Sequence, residues 1–304
     1  MSRYRLITRS DFDGLACAMI LKELDMLEDI MFVHPKDMQD GMIDVSDMDI
    51  TTNVPYQPGV HLAFDHHISE ADNKYKNYIN LPDAPSTARV VYNYFGGAGK
   101  LKHITKELMD AVDKADNAQY TLDDITDPHG WILLSYIMDA RTGLGRFKNF
   151  RVSNYDLMMK LIDFCSDHTI DEILQHPDVK ERVDLYFEQK DLFAAQIKKV
   201  HEIVGDVVVL HLKNEDPVFA GNRFYVYAMY PQAKISVHEM WGLKKRNTVF
   251  AVGKSIVDRS SDVNIGDICH TYGGGGHKNA GTCQVPNSIA GTILEELLVK
   301  LNKK

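Results

Sequence analysis

The sequence predicts a two-domain α/β protein, in which a doubly wound parallel sheet is followed by a smaller α/β domain with a mixed sheet. Three observations support this prediction. The chain has 304 residues, which is enough for two ordinary hydrophobic cores. Its first half alternates short apolar runs with amphipathic stretches, as parallel sheets covered by helices do. Its last third consists mainly of strand-like runs and ends in one amphipathic helix.

The first half supplies the strands and helices of the predicted parallel sheet. The runs YRLIT, IMFV, DITT and VHLAF are short, apolar and bounded by Asp, Asn, Pro or Gly, as buried strands tend to be. The intervening helices are LACAMILKEL, STARVVYNYF with Ser86 as its N-cap, and ITKELMDAVDKADNA. Functional sites of such sheets lie beyond the carboxyl ends of the strands.

The second half changes character after a charged helical region over residues 154–200. The runs DVVVLHL, FYVYAMY, AKISVHEM and TVFAVGKSIV are predicted as strands. The closing helix SIAGTILEELLVKL carries an apolar stripe formed by Ile289, Ile293, Leu294, Leu297 and Leu301. We therefore expect a first domain over residues 1–190, which includes the start of a connecting helix, and a second domain over residues 201–304.

The composition is that of a globular protein, with 44% hydrophobic and 25% charged residues. The net charge of -9 argues against a long nucleic-acid track, although a small phosphorylated substrate remains compatible with it. No apolar leader and no membrane-spanning run is visible, so we expect no membrane association. The 4 cysteines form no CxxC pair, which disfavours a disulfide framework and a thiolate zinc site. A reduced, cytoplasmic setting is expected.

The motif DFDG follows the first predicted strand and places Asp11 and Asp13 two residues apart. In an extended segment such residues share one face, so both carboxylates can converge. Two convergent anions repel unless a cation lies between them. The alternative is an acidic strand-to-helix turn in which Asp13 merely caps the helix, and a single DxDG taken alone favours this alternative.

The motif DHH, formed by Asp65, His66 and His67, ends the predicted strand VHLAF. Imidazole and carboxylate groups are ligands for first-row transition metals, and a carboxylate behind a metal-bound histidine is a common supporting contact. A single DHH could equally be a surface turn. Its position at a strand end of the same sheet as DFDG indicates one shared crevice.

The motif GGGGH, with Gly274, Gly275, Gly276 and His277, lies in the second domain. Consecutive glycines are costly in regular structure but allow backbone N–H groups to approach an anion closely. Arg259 and Ser260 lie upstream, where a phosphate clamp could use them. The alternative is a flexible linker, which the tightly patterned flanking segments disfavour.

DxDG, DHH and a C-terminal GGGGH, in this order, resemble the DHH phosphoesterase superfamily with its DHHA1 substrate domain. The family includes oligoribonucleases, RecJ-type exonucleases, cyclic-dinucleotide phosphodiesterases and, with a different second domain, polyphosphate and pyrophosphate hydrolases. The resemblance covers nearly the whole chain and is greatest to bacterial proteins labelled exopolyphosphatase-related. It implies hydrolysis that depends on a divalent cation, usually Mn²⁺ or else Mg²⁺.

The resemblance also implies roles for individual residues. Asp11, Asp13 and His66 would be metal ligands, and His67 would contact the scissile phosphate. A later aspartate completes the family's metal site. We place it at Asp116, with Asp113 and Asp139 as alternatives.

Two positions depart from the family pattern. Arg9 stands where the family generally has a histidine, and Asn53 stands where it has an aspartate. Arginine cannot ligate a metal, and a neutral amide is a weaker ligand than a carboxylate. Asn53 therefore remains a weak candidate ligand, while Arg9 and Asp11 join His67 as candidate catalytic residues. We expect at most one tightly bound metal, held by Asp13, His66 and Asp116, and an ion pair between Arg9 and Asp11.

The predicted function is a metal-dependent phosphoesterase that cleaves a phosphodiester or phosphoanhydride bond in a small nucleotide, a short oligonucleotide or polyphosphate. The alternative is a degenerate family member that binds a nucleotide or phosphate with little turnover. The expected partner is this small substrate, and the sequence leaves the oligomeric state open, with a homodimer as one option.

Overall fold

The computed structural model describes residues 2–67, 75–147 and 149–303, and the chain divides into two compact units. The first unit comprises Met1–Gln119, Pro128–Ala140 and Leu144–Asp184. The second comprises Tyr120–Asp127, Arg141–Gly143 and Leu185–Lys304. The boundary between Asp184 and Leu185 falls inside a long helix.

The first unit contains a five-stranded sheet in which each neighbouring pair of strands is parallel. Its strands are β1 (Tyr4–Arg9), β2 (Leu27–Val33), β3 (Asp49–Thr52), β4 (Leu62–Asp65) and β5 (Tyr78–Asn80). Their order is β2-β1-β3-β4-β5. The predicted parallel sheet is confirmed, and β5 is a short strand that the sequence patterns did not indicate.

The first unit contains seven complete α-helices in the described part of the chain, and the three predicted in its first half are confirmed. They are α1 (Phe12–Glu23), α2 (Pro35–Gln39), α3 (Thr87–Tyr94), α4 (Lys106–Asp116), α6 (Gly130–Met138), α7 (Asn154–Asp167) and α8 (Ile170–Gln175). The helix between α4 and α6 in the chain, α5 (Leu122–Thr126), belongs to the second unit. Ser86 caps α3 by accepting a hydrogen bond from the Arg89 N–H, as its sequence position predicts. Ten consecutive residues of α1, Phe12 to Leu21, are buried because other helices pack around it.

The second unit is built on a six-stranded mixed sheet with the order β10-β11-β9-β8-β7-β6. After the long helix α9 (Pro177–Val200) come β6 (His201–Val204), β7 (Val207–His211), α10 (Tyr225–Met229), β8 (Ile235–Trp241), β9 (Asn247–Lys254), α11 (Ile265–His270), β10 (Gly275–His277), β11 (Ala280–Pro286) and α12 (Ala290–Leu301). Only β7 and β8 are parallel among the described pairs. The predicted mixed sheet is confirmed.

The stripe predicted on α12 faces the core of this sheet over most of its length. Leu297 and Leu301 are buried, and Ile293 and Leu294 pack against the same cluster. Ile289 precedes the helix and is 44% exposed, so it does not belong to the buried stripe.

The prediction of a strand at FYVYAMY is wrong, because Tyr225–Met229 forms the short helix α10. Val and Tyr favour strands, yet local hydrogen bonds start a helical turn here. The side-chain oxygen of Asn222 accepts a hydrogen bond from the Phe224 N–H. The backbone carbonyl oxygen of Asn222 accepts one from the Tyr225 N–H. The Tyr227 hydroxyl then reaches Ser236 and the Gly253 carbonyl oxygen of the neighbouring strands.

Within the described part of the chain, no helix combines the length and apolar character needed to cross a bilayer.

Candidate active site

Polar and charged side chains lie at the carboxyl ends of three adjacent strands in the first unit. Arg9 ends β1, Asn53 follows β3, and Asp65 ends β4. The strand order reverses beside β1, so β1 and β3 flank a topological switch point, where parallel sheets open a crevice. Gly14 lets α1 start directly against β1, because a Cβ at this position would lie 2.0 Å from the Arg9 carbonyl oxygen.

Asp13 lies in the first turn of α1 and is 2% exposed. Its carboxylate accepts hydrogen bonds from the Ala88 N–H at 2.7 Å and the Thr87 N–H at 3.1 Å. Both donors belong to the first turn of α3, where the unpaired N–H groups favour negative charge. The fold therefore fixes this carboxylate in a buried position.

His66 and Asp116 complete a cluster with Asp13. The His66 Nε2 lies 2.9 Å from an oxygen of Asp116, the last residue of α4. The His66 Nδ1 faces the Ala84 carbonyl oxygen at 3.1 Å, so Nδ1 carries the donated proton and Nε2 faces the carboxylates. One ligand atom from each of these residues lies within 4.8 Å of the other two.

The electrostatics of this cluster call for a cation. Burial, followed by the nearby Asp116 and Asp11 charges, raises the pKa of Asp13 well above its usual range. Burial alone would lower the pKa of His66, but the hydrogen bond to Asp116 and the adjacent carboxylates raise it to about 9. The carboxylates thus favour a positive charge at this place, which a bound metal ion would supply.

The donor set fits a divalent cation. Two carboxylates and one imidazole suit Mn²⁺ and related ions, and the second nitrogen of His66 has the backbone acceptor that usually orients a metal-bound histidine. Among the described residues, this is the one group of three or more candidate ligands that lie close enough together.

Asp65 orients His67 rather than His66. One Asp65 oxygen lies 2.6 Å from the His67 Nδ1 and also accepts from the backbone N–H of His66. The other oxygen accepts from the Tyr78 hydroxyl at 3.1 Å, and the Asn80 side chain donates to the His67 carbonyl oxygen. The DHH motif did not reveal this division of roles, because Tyr78 and Asn80 belong to β5, which no sequence pattern indicated.

The remaining candidate ligands lie outside the cluster. Asp11 caps α1 and pairs with Arg9 at 2.9 Å, which is the ion pair that the sequence predicts, and Asn53 also donates to it. Asp113 binds Ser86 and Arg89 at 2.7 and 2.6 Å. Asp139 directly follows α6 as its C-cap.

The glycine run in the second unit is more regular than its composition predicts. Gly275–His277 forms the edge strand β10, so the expectation that the run avoids regular structure is wrong. Steric limits explain most of the run. Gly273 and Gly276 have φ values of 75° and 153°, and a Cβ at Gly274 would lie 2.1 Å from the Thr282 carbonyl oxygen. A Cβ at Gly275 would meet no described atom within 4 Å.

Arg259 and Ser260 lie in the segment between β9 and α11. The Arg259 side chain donates to the Ile256 carbonyl oxygen, and the Ser260 N–H donates to Asp258. Lys254 ties this segment to the glycine hairpin, because its side chain donates to the Ser261 carbonyl oxygen and its N–H donates to the Asn279 carbonyl oxygen. The candidate substrate-binding segments therefore meet at the end of β9.

Comparison with solved structures shows one similarity over the whole chain. The chain is 52% identical to the pGpG-specific phosphodiesterase PggH from Vibrio cholerae, with a TM-score of 0.88 and coverage of 99% of each chain. The structure of RecJ in complex with Mn²⁺ from Thermus thermophilus has a TM-score of 0.55 at 12% identity, covering 98% of this chain and 51% of that one. The second similarity concerns the fold alone.

Other comparisons are more limited. A segment of 116 residues, 36% of this chain, is 29% identical to the A-adding tRNA nucleotidyltransferase of Aquifex aeolicus (strain VF5). The match covers 14% of the length of that protein. No family model matches the chain.

Proposed function

The chain belongs to the DHH/DHHA1 phosphoesterase superfamily, and from this premise we propose that it hydrolyses the phosphodiester bond of pGpG or a similarly short linear oligonucleotide. The observation that carries the proposal is the identity of 52% over the full length to a pGpG-specific phosphodiesterase. The clustering of Asp13, His66 and Asp116 at the strand ends supports it, since these residues provide the donors that metal-dependent hydrolysis requires.

In this proposal Asp13, His66 and Asp116 hold one divalent cation, with Mn²⁺ as the preferred ion and Mg²⁺ as an alternative. The cation would polarise the scissile phosphate as a Lewis acid. The surrounding residues position the ligands of this cation. Thr87 and Ala88 hold the Asp13 carboxylate in place, and the Ala84 carbonyl oxygen keeps the His66 Nε2 directed at the cluster.

His67 is proposed as the residue that contacts the scissile phosphate and donates a proton to the leaving oxygen. The Asp65 carboxylate fixes the orientation of the ring through Nδ1, as a buried carboxylate does for a catalytic imidazole. Asp65 is 1% exposed and Tyr78 donates to it, so this orientation is rigid.

The glycine hairpin is proposed to bind the substrate and to take no part in bond cleavage. Gly275 supports this, because the described residues leave open space at its Cβ position, so packing alone does not require a glycine there. A missing side chain next to open space allows a ligand to approach the backbone. Arg259, Ser260 and His277 would add side-chain contacts to a phosphate.

A cytoplasmic location is also proposed, since all 4 cysteines are free thiols.

The proposal is tested with purified protein and Mn²⁺ against pGpG, pApA, cyclic dinucleotides, phosphoadenosine phosphate and polyphosphate. We expect conversion of pGpG to two molecules of GMP, which corresponds to the addition of one water across the bond. His66→Ala and Asp13→Asn should abolish turnover. His61→Ala is the matched control, because that histidine stacks on Tyr4 and lies outside the cluster.

Absence of turnover on every linear dinucleotide would refute the proposed reaction. Equal rates for wild-type protein and His66→Ala would refute the proposed site. Binding of pGpG without turnover would identify the chain as a nucleotide-binding member of the family.

A further inference from the structure

Asp11 lies beside the metal cluster, but other groups already occupy its carboxylate. One oxygen lies 2.9 Å from the Arg9 Nε in an ion pair. The other accepts from the Gly14 N–H at 2.9 Å and from the Asn53 side chain at 3.2 Å. A carboxylate with these partners is a poor additional ligand, which agrees with its absence from the cluster among the described residues.

Arg9 is held by one edge of its guanidinium group. Its Nε contacts Asp11, and no hydrogen bond or ion pair to its terminal nitrogens is found in the described part of the chain. The side chain is 38% exposed at the carboxyl end of β1, where the crevice of the sheet opens. The group that binds phosphate best in proteins, the pair of terminal guanidinium nitrogens, is therefore available.

The fold maintains this arrangement at a cost. Asn53 has a φ of 57°, a left-handed conformation that is uncommon outside glycine, although asparagine adopts it more readily than most residues. Its Oδ1 is buried and has no hydrogen-bond partner among the described residues. Rotating the amide by 180° would place that oxygen against the Asp11 carboxylate, so the amide donor stays on Asp11 and the oxygen remains unpaired. Such strain is typical of functional positions.

The charges of the site also favour a fixed cation at this place. Asp11, Asp13 and Asp116 carry three negative charges when ionised. One divalent cation and one guanidinium balance them, so the site becomes neutral without a second metal ion. Arg9 would repel a second metal ion next to Asp11, because like charges at short range are unfavourable.

We infer that Arg9 is a catalytic residue that binds a non-bridging oxygen of the scissile phosphate and supplies the second positive charge of a one-metal site. Asp11 is then its positioning residue and not a metal ligand, with Asn53 fixing Asp11 in turn. The inference rests on the proposed function, in that it concerns the same phosphate. Its role is electrostatic, since a guanidinium stays charged and transfers no proton under ordinary conditions.

Metal binding alone gives the first test. Titration calorimetry with Mn²⁺ should find one ion per chain in wild-type protein, Arg9→Gln and Asp11→Asn, with dissociation constants within about threefold of each other, whereas loss of a true ligand should weaken binding at least about tenfold. Asp13→Asn is the positive control for such a loss. Loss of Mn²⁺ binding in Asp11→Asn, or two tightly bound ions in wild-type protein, would overturn the inference.

Kinetics and product binding give the second test. Arg9→Gln should lower kcat for pGpG about 10²- to 10³-fold, as removal of one charge-stabilising donor does, and Arg9→Lys should restore part of it. The Mn²⁺-loaded Arg9→Gln protein should also bind GMP about tenfold more weakly, a loss of one charge-assisted contact. Arg3→Gln is the matched control, because Arg3 forms an exposed pair with Asp25.

These readouts separate the two proposals. If the wild-type protein cleaves no dinucleotide, the proposed reaction fails, while the Mn²⁺ and GMP titrations still report on Arg9. If the wild-type protein cleaves pGpG and Arg9→Gln keeps its kcat and its affinity for GMP, the role of Arg9 fails and the proposed reaction stands.

Discussion

Replacement of His66 by alanine should remove the stabilisation that a divalent cation gives to the first unit. Asp13, His66 and Asp116 place their ligand atoms within 4.8 Å of one another. We therefore expect the folded chain to bind the cation and the unfolded chain, in which these residues separate, not to bind it. A ligand at about 100 times its dissociation constant stabilises the folded state by about 2.7 kcal/mol. For a unit of this size, that free energy raises Tm by roughly 5–10 °C.

The assay is thermal unfolding followed by circular dichroism, first with a chelator and then with Mn²⁺. Wild-type protein should show the full rise in Tm on addition of Mn²⁺, and His66→Ala should show almost none. His61→Ala should rise as the wild-type protein does, which controls for ions that bind elsewhere. A rise of equal size in His66→Ala would show that the stabilising cation binds at another place, and the assigned ligands would be wrong.

Three further predictions concern stability. Gly14→Ala should prevent folding of the first unit, because its Cβ would lie 2.0 Å from a backbone oxygen, whereas Gly275→Ala should change the free energy of unfolding by less than about 0.5 kcal/mol; thermal unfolding compares them. Asp49→Ala should cost about 2–3 kcal/mol in urea unfolding, since its buried carboxylate accepts two bonds from one guanidinium, and the exposed Asp25→Ala should cost at most about 1 kcal/mol. Burial lowers the pKa of His211, but hydrogen bonds to two glutamates raise it overall. The stabilising contribution of His211 should therefore be complete below about pH 6.5 and be lost as the pH rises through the raised pKa. His211→Gln should remove this part of the pH dependence of urea unfolding.

The positions of the strand ends could be predicted from the sequence because parallel strands impose a common edge. Asp13 follows β1 and His66 follows β4, and the sheet brings both to its carboxyl edge as the pattern predicts. What holds Asp13 there could not be predicted. Its partners are the N–H groups of Thr87 and Ala88, which lie more than seventy residues away and carry no side-chain signal.

The glycine run shows how composition can mislead. Four glycines predicted a loop that wraps an anion, but Gly274 and Gly276 are needed where the backbone of β11 passes too close for any Cβ. The glycine pattern alone cannot show that contact, because it forms only when β10 and β11 pair with each other. Gly275 alone keeps the original interpretation, since no neighbour restricts it.

The choice between Asp113 and Asp116 depends on their positions along α4. The sequence leaves both open, because residues three apart lie on nearly the same face of a helix. Their separation along the axis is about 4.5 Å. At the earlier position, Asp113 meets Arg89 and Ser86 at the start of α3 and is neutralised there. Asp116, at the last position of the helix, lies beyond that ion pair and reaches His66. One helical turn therefore separates a structural carboxylate from a candidate metal ligand. Exchanging Arg89 for a neutral residue would leave Asp113 with Ser86 but without its cationic partner, and would not bring it into the cluster.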